Sequence, residues 1–246
     1  MKKYLQIYKF HGGGFRGLAR VYDTFKEIDF FDLARSGINT RTIKTDVHQN
    51  HQYMWYSPVY TSVLEEMIRL SFDYYTSRIR YSDFDRKIIF VDLGSGSGKA
   101  VIQARETNIF EYSGGVELDS YLKDLCDKNL CKLFPPPKKN SKLFNILGNV
   151  EKLDWALKIK EILNKNGIET EKTTIFIFNK NSYDAPVLDR SLKIVEKIFS
   201  SIIYLYQNPV HNKTLLENNY EFFLEDSKPK NAHKNYKYKC YMKHQI

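Results

Sequence analysis

The feature that most constrains this chain is an apolar segment that runs directly into a glycine-rich loop. Residues 88–92 are Ile-Ile-Phe-Val-Asp, and glycine occupies positions 94, 96 and 98. A continuous apolar run of this length is typical of a strand buried on both faces of a parallel sheet. Because glycine lacks a Cβ, its backbone turns sharply and comes close to a ligand. We therefore expect a ligand site at the carboxyl end of this strand, where open α/β sheets bind their ligands.

Strand and helix patterns alternate along the chain from this point onward. Strands are predicted at 88–92, 143–147, 173–178 and 202–206 and in the segment that ends at Glu117, with helical periodicity between them. Such alternation predicts a parallel sheet with helices on both of its faces. Two further strand patterns, at 220–224 and 236–241, have no helix pattern between them and predict an antiparallel edge.

The N-terminal part of the chain departs from this alternation. Residues 1–75 are predicted to form a cap or lid of helical and irregular structure, and residues 76–246 form the α/β domain. The first 50 residues are aromatic and basic without a clean period, and a helix pattern begins at Thr61. Apolar residues at positions 63, 64, 67 and 68 give that helix a face that packs on the following domain.

Charge and hydropathy indicate where the protein is located and which kinds of partner it binds. The net charge of +9 favours contact with phosphates, but the lysines are spread along the whole chain, so nucleic-acid binding is not the favoured prediction. No segment approaches the roughly 20 apolar residues that span a bilayer. The first residues also lack the apolar run of a signal peptide. We expect a cytoplasmic protein without a membrane partner.

The three cysteines predict neither a disulfide framework nor a metal site. Cys126 and Cys131 share one predicted helix region, whereas Cys240 lies far from both in the sequence. No histidine cluster supplies the spacing of metal ligands. All three cysteines are predicted to be reduced thiols, and no bound metal is expected.

Two familiar phosphate-binding patterns do not fit the loop. A P-loop needs a glycine at position 93 and a hydroxyl residue at position 100, but this chain has Leu93 and Ala100. A dinucleotide-binding loop needs a third glycine where this chain has Lys99. In addition, Asp92 would place negative charge beside a pyrophosphate. The loop is therefore predicted to bind a ligand of another kind.

The pattern D-x-G-x-G-x-G at residues 92–98 resembles motif I of the class I S-adenosylmethionine-dependent methyltransferases. An acid beside the loop suits this cofactor, because its methionine part carries an ammonium and a sulfonium. The resemblance implies a Rossmann-like α/β fold, with a mostly parallel seven-stranded sheet, an antiparallel edge strand and an N-terminal cap. It also implies that Asp92, Gly94, Ser95, Gly96 and Gly98 bind S-adenosylmethionine.

Two further positions match the cofactor-binding pattern of these enzymes. Glu117 ends the second predicted strand, 19 residues after Gly98. At this spacing an acid accepts hydrogen bonds from the ribose hydroxyls of a bound nucleoside. Asn149 follows the third strand, where the family often has an acid that contacts the adenine amine. The resemblance therefore implies that Glu117 binds the ribose and Asn149 the adenine.

The acceptor side of the site is less defined by the sequence. The segment Phe178-Asn-Lys-Asn-Ser-Tyr183 resembles motif IV, which faces the methyl group in these enzymes. Asn179, Tyr183 and Tyr56 are candidates for a catalytic role, and no general base is assigned. The segment lacks the prolines typical of enzymes that methylate the amines of DNA bases. We therefore do not expect adenine or cytosine amines in DNA to be acceptors.

The resemblance extends over residues 30–225. The segments 31–40 and 53–68 are similar to a group of small methyltransferases, and more distantly to the non-SET histone-lysine methyltransferases. The chain departs from their pattern at Val59, where they have threonine, and at Lys180 and Asn181, where they have proline and phenylalanine. These departures lie in the segments that would close over the cofactor and face the acceptor.

The sequence therefore predicts direct, in-line transfer of a methyl group from S-adenosylmethionine. Alignment of the methyl with the acceptor would supply most of the acceleration. The favoured acceptor is a protein side chain or a small molecule. Two alternatives stay open, a nicotinamide-dependent oxidoreductase and a non-catalytic Rossmann-like protein that binds nucleic acid. Lys99 and Asp92 argue against the first of them.

Overall fold

The structure, a computed structural model, describes residues 2–10, 12–35, 37–40, 59–78, 85–135, 142–180, 183–226 and 237–244. Within these ranges the α-helices are α1 (Lys2–Phe10), α2 (Gly14–Thr24), α3 (Phe30–Ala34), α4 (Thr61–Arg78), α5 (Lys99–Glu106), α6 (Ser120–Leu133), α7 (Asp154–Lys165), α8 (Ala185–Glu196) and α9 (Asn212–Glu217). The strands are β1 (Lys87–Leu93), β2 (Tyr112–Glu117), β3 (Leu143–Leu147), β4 (Thr173–Asn179), β5 (Ser201–Gln207), β6 (Glu221–Asp226) and β7 (Tyr238–His244).

The strands form one seven-stranded sheet in the order β3-β2-β1-β4-β5-β7-β6. Neighbouring strands from β3 to β5 pair in parallel, whereas β7 is antiparallel to both β5 and β6. The predicted Rossmann-like sheet with an antiparallel edge is thereby confirmed. The last strand in the sequence, β7, lies between β5 and β6, so β6 forms the outer edge.

The two faces of the sheet bury separate hydrophobic clusters. Because side chains alternate along a strand, Ile89 and Val91 of β1 face the cluster that includes α7 and α8. Phe90 faces the other cluster, together with residues of α4 and α5. This two-sided burial explains why the strand patterns in the sequence are continuously apolar.

The N-terminal residues, for which no clean period is predicted, are helical, and α2 is amphipathic. Helices α1, α2 and α3 are joined by a short turn and by a π-helical turn, Phe25–Asp29. The helix predicted from residue 61 is α4, which packs on the sheet through Leu64, Met67 and their neighbours. The predicted boundary after residue 75 falls inside α4. The division into domains stays a prediction, with α4 in contact with the α/β core.

The described ranges contain neither a membrane-spanning helix nor a cluster of metal ligands. No helix in those ranges is long and apolar enough to cross a membrane. Those residues also contain no group of three or more His, Cys, Asp or Glu side chains that could hold a metal ion. The cysteines at 126, 131 and 240 are not in disulfides.

Candidate functional site

The glycine-rich loop connects β1 to α5 and is anchored to the neighbouring strand. The backbone N–H groups of Gly94 and Ser95 donate to the carbonyl oxygen of Val116, at 2.9 and 3.1 Å. Gly94, Gly96 and Gly98 have φ angles of 82°, 53° and 87°. These angles lie in the left-handed region that side chains disfavour. The spacing of the three glycines is therefore a direct requirement of the backbone path.

Gly98 carries a second requirement, which is space. A Cβ built at Gly98 would lie 2.5 Å from the Sγ atom of Cys126. Cys126 is buried in α6. The absence of a side chain at Gly98 therefore lets α6 pack against the start of α5.

Glu117 is the last residue of β2, as the sequence predicts, and its side chain contacts the glycine-rich loop. Its Oε2 atom accepts a hydrogen bond from the backbone N–H of Gly96 at 2.6 Å, and its Oε1 atom accepts from the N–H of Asp119 at 3.0 Å. The side chain is buried at the carboxyl end of β2. A carboxylate oxygen has two lone pairs, so each oxygen can accept a further hydrogen bond.

Asp92 is a second buried acid at this end of the sheet. Burial, and then the charge of Glu117, raise the pKa of Asp92 well above its usual value. Burial also raises the pKa of Glu117, against the opposing effect of its backbone hydrogen bonds. Two carboxylates that are costly to ionise together form a site that a cationic ligand would stabilise. The same pair would repel a pyrophosphate.

Asp119 has a structural role beside Glu117. Its Oδ1 atom accepts hydrogen bonds from the backbone N–H groups of Tyr121 and Leu122, at 2.8 and 3.1 Å. It therefore caps the N-terminus of α6. This contact gives Asp119 a function that does not involve a ligand.

Asn149 lies in the loop after β3, close to the end of β2. The N–H of Gly148 donates to the carbonyl oxygen of Glu117 at 2.9 Å, which joins the two strand ends. The side-chain Oδ1 atom of Asn149 accepts from the N–H of Glu151 at 2.9 Å. The oxygen expected to contact adenine thus also stabilises a local turn.

Large apolar side chains are exposed at the same edge of the sheet. Leu118 follows Glu117, and Leu147 is the partner of Glu117 in the β2–β3 register. Both are exposed, as is Tyr121 at the start of α6. Exposed apolar side chains at a ligand-binding edge offer a surface for a flat, weakly polar ring. These residues are not among the predicted site residues, although Leu118 follows a predicted strand directly and Leu147 ends one.

Asn179 and Lys180 lie at the carboxyl end of β4, beside the end of β1. Asn179 is buried, and its Nδ2 atom lies 3.5 Å from the carbonyl oxygen of Leu93 as a hydrogen-bond donor. The Nζ atom of Lys180 lies 5.5 Å from the centre of the Tyr60 ring. Burial lowers the pKa of Lys180 to about 8. Motif IV therefore places a buried amide and an ammonium next to the glycine-rich loop.

Of the other two catalytic candidates, one is placed by the structure. Tyr183 is buried in the hydrophobic cluster on the α7–α8 face of the sheet. Asn179 is buried as well, but it hydrogen-bonds to the backbone of Leu93 directly before the glycine-rich loop and is therefore the better candidate. Tyr56 lies outside the described residues, as do residues 181–182.

The N-terminal helices are tied to the loop through Glu27 and Lys99. Lys99 is only 1% exposed, and its ammonium donates to the backbone carbonyl of Glu27 and lies 4.8 Å from the centre of the Phe31 ring. Burial is the largest cause that lowers the pKa of Lys99 to about 7. The Glu27 carboxylate accepts from the N–H and hydroxyl of Ser62, both at 2.9 Å, at the start of α4. We call Glu27, Ser62 and Lys99 the cap anchor.

The cap anchor was not found by sequence reasoning, which used Lys99 only to distinguish types of loop. A signal was present nevertheless. A lysine in the first turn of a helix is unfavourable beside the positive end of the helix dipole. Such a lysine needs a compensating acceptor elsewhere in the fold, and Glu27 supplies it through its backbone carbonyl.

A second contact organises the segment that ends at Thr40. The Asp32 carboxylate accepts from the Thr40 N–H at 3.0 Å and from its hydroxyl at 2.6 Å, and both residues are buried. Phe31, next to Asp32, contacts Lys99 of the cap anchor. Asp32 and Thr40, both in the segment 31–40 that resembles small methyltransferases, thus hydrogen-bond to each other.

The sheet, the glycine-rich loop and the two buried acids define a Rossmann-like methyltransferase domain. A family model described as "Histone methylation protein DOT1" matches residues 40–234, which is most of the chain. The chain belongs to this family. It is therefore an S-adenosylmethionine-dependent methyltransferase, which confirms the predicted enzyme class and cofactor. The nicotinamide-dependent and the non-catalytic alternatives are not supported.

Similar solved structures share the fold at low sequence identity. PH1948 from Pyrococcus horikoshii, described as a proposed RNA methyltransferase, has a TM-score of 0.50 and 14% identity, over 89% of this chain and 96% of its own. The magnesium protoporphyrin IX methyltransferase of Synechocystis, with bound S-adenosylmethionine, has a TM-score of 0.48 and 9% identity, over 93% and 97%. TrmK of M. capricolum, in complex with S-adenosylhomocysteine, has a TM-score of 0.43 and 17% identity, over 68% and 69%. A search of curated protein sequences finds no significant match.

Proposed function

We propose that this protein transfers a methyl group from S-adenosylmethionine to a side-chain amine of a protein. The match of the DOT1 family model to residues 40–234 carries the choice of a protein acceptor. The pair of buried acids beside the glycine-rich loop carries the assignment of the cofactor site.

The end of the cofactor that carries the amino acid is assigned to the loop. Asp92 would supply negative charge to the ammonium, and the left-handed turns at Gly94, Gly96 and Gly98 let the backbone come close to it. Ser95, a buried residue of the loop whose side chain packs against Gly115 of β2, would support this backbone path. The raised pKa of Asp92 supports the assignment, because a buried acid gains from a cationic ligand.

The nucleoside end is assigned to the carboxyl ends of β2 and β3. Glu117 would accept hydrogen bonds from the ribose hydroxyls, using lone pairs beyond those that bind Gly96 and Asp119. The exposed side chains of Leu118 and Leu147 would cover the adenine ring. Asn149 would contact the adenine amine through its Oδ1 atom, in addition to its local turn.

The acceptor would approach the end of β4. S-adenosylmethionine supplies a methyl group on an electrophilic sulfonium, so the acceptor amine must be unprotonated. The Lys180 ammonium would lower the pKa of a neighbouring amine through like-charge repulsion. Asn179, which already contacts the end of β1, would orient the amine towards the loop. Alignment would then account for most of the rate enhancement.

Calorimetry of the full chain tests the cofactor site. We expect saturable binding of S-adenosylhomocysteine and none of NAD. Asp92→Asn should weaken binding of S-adenosylmethionine strongly, whereas Asp73→Asn, a matched change at an exposed position of α4, should leave it unchanged. Equal effects of the two substitutions, or preferential binding of NAD, would refute the assigned site.

Transfer of a labelled methyl group tests the acceptor. Purified histones, other basic proteins, transfer RNA, duplex DNA and a mixture of small metabolites would each be incubated with the enzyme and labelled S-adenosylmethionine. We expect label in protein, recovered as methylated lysine after hydrolysis. Label that appears chiefly in nucleic acid or in small molecules would overturn the proposed acceptor and leave the cofactor site intact.

A further inference from the structure

The N-terminal helices expose large apolar side chains. Among the described residues, eight of the fifteen exposed large hydrophobic side chains lie between positions 5 and 33. We call them the N-terminal apolar surface: Leu5, Phe10, Phe15, Leu18, Tyr22, Phe25, Phe30 and Leu33. Scattered exposed apolar residues are common, whereas a concentration on one segment indicates a surface with a binding partner.

The most exposed of these residues lie at the turn between α1 and α2. Phe10 ends α1 and is 85% exposed, and Phe15, the second residue of α2, is 87% exposed. Lys9 and Arg16, also exposed, flank them. Farther along α2, Leu18 and Tyr22 continue the same side of the helix at spacings of three and four residues. Two phenylalanines at a helical turn, each beside a cation, project into solvent.

The acidic and basic residues of this segment differ in their exposure to solvent. All four acids of α2, the π-helical turn and α3 are buried: Asp23, Glu27, Asp29 and Asp32. Three have internal donors, namely the Tyr4 hydroxyl for Asp29 at 2.5 Å, Ser62 for Glu27 and Thr40 for Asp32. Lys9, Arg16 and Lys26 are exposed. The exposed large and charged side chains named here are therefore apolar or cationic.

We propose that the N-terminal apolar surface binds the interface of a lipid bilayer that contains anionic phospholipids. Apolar side chains that project from a helical turn can enter the boundary between headgroups and acyl chains without a complementary pocket. Adjacent lysine and arginine side chains are attracted to the anionic headgroups. The helices would lie on the membrane without crossing it.

Two other occupants fit the surface less well. A second copy of the chain would bring the same exposed cations together, which disfavours self-association. Nucleic acid would match the cations, and its bases could stack on the phenylalanines. However, Leu5, Leu18 and Leu33 offer no ring for stacking.

The sequence predicts no membrane partner, because it does not show that the acids of this segment are buried and its apolar residues exposed.

Sedimentation of the full chain with lipid vesicles tests the proposal. Phosphatidylcholine vesicles would be compared with vesicles that also contain phosphatidylserine. We expect binding to the anionic vesicles, weaker binding to the neutral ones, and a loss of affinity as salt is added. Absence of binding to the anionic vesicles would overturn the proposal.

Matched substitutions locate the contact. Phe10→Ser and Phe15→Ser should each weaken vesicle binding by about tenfold or more, given the free energy of transferring a phenylalanine ring from water. Lys9→Gln and Arg16→Gln should each weaken it by about fivefold. The controls are Leu216→Ser and Lys213→Gln in α9, which change exposed residues of the same two kinds elsewhere. These controls should bind vesicles like the unmodified chain.

The test does not depend on the proposed function. Each variant would be checked for helical content and for binding of S-adenosylhomocysteine, both of which should stay unchanged. Vesicle binding that is insensitive to the phenylalanine substitutions would overturn the proposal. So would a concentration-dependent dimer, or single-stranded DNA binding without vesicle binding, if the same substitutions abolished it.

Discussion

The loop geometry makes a quantitative prediction for Gly98→Ala. Alanine in the left-handed region, at a φ of 87°, should destabilise the protein by about 1–2 kcal/mol. The new Cβ would also lie 2.5 Å from the Sγ atom of Cys126. Overpacking of this kind adds about 1–3 kcal/mol. The free energy of unfolding should therefore fall by about 2–5 kcal/mol, the sum of the two contributions.

Two controls separate these contributions. Gly167 also has a positive φ, of 73°, but a Cβ there would meet no atom within 4 Å. Gly167→Ala should therefore show the backbone contribution alone. Cys126→Ala removes the Sγ atom and leaves a Cβ contact of 3.4 Å with an alanine at position 98. In the double variant, the clash should disappear while the backbone contribution remains.

Chemical denaturation of the four variants and the unmodified chain measures these free energies. The coupling between Gly98→Ala and Cys126→Ala should be about 1–3 kcal/mol. It should match the difference between the effects of Gly98→Ala and Gly167→Ala. A coupling near zero, or equal effects of the two glycine substitutions, would refute the close approach of α6 to the loop.

Three further predictions follow from the buried charges. Glu117→Ala should weaken cofactor binding by about tenfold or more in calorimetry. Asp119→Ala should instead lower the free energy of unfolding by about 1 kcal/mol, with little change in affinity. The reverse result would contradict both roles. Binding of S-adenosylmethionine should tighten as pH rises through the raised pKa of Asp92, because the cationic ligand favours the ionised acid. Binding should therefore release protons below that pKa, as measured by calorimetry in buffers of different ionisation enthalpy. Asp92→Asn should abolish this dependence. The pKa of Lys99 is 10.5 in the unfolded chain and about 7 in the folded protein. Between about pH 7 and pH 10.5 the unfolded state therefore binds more protons than the folded state. Lys99 should make the free energy of unfolding rise with pH across that window. Denaturation of Lys99→Met at several pH values should show a smaller rise than the unmodified chain, and an identical rise would place Lys99 in solvent.

The sequence by itself determined the central part of the fold and the type of site. The path of the loop depends on local backbone preferences, so the glycines at 94, 96 and 98 predicted a sharp turn, and the structure has positive φ angles at all three. The strands were recognisable because residues buried on both faces form continuous apolar runs, as in β1 and β4. The position of Glu117 at the loop followed from the length of one strand–helix–strand unit.

Only the tertiary structure decided how the N-terminal helices relate to this site. Lys99 and Glu27 are separated by 72 positions, and nothing in the local pattern of either predicts the contact. The acids of these helices face inward, whereas several of their apolar residues, including those on one side of α2, face solvent. That arrangement reverses the usual amphipathic pattern. It depends on partners outside these helices, namely Ser62 for Glu27 and Thr40 for Asp32.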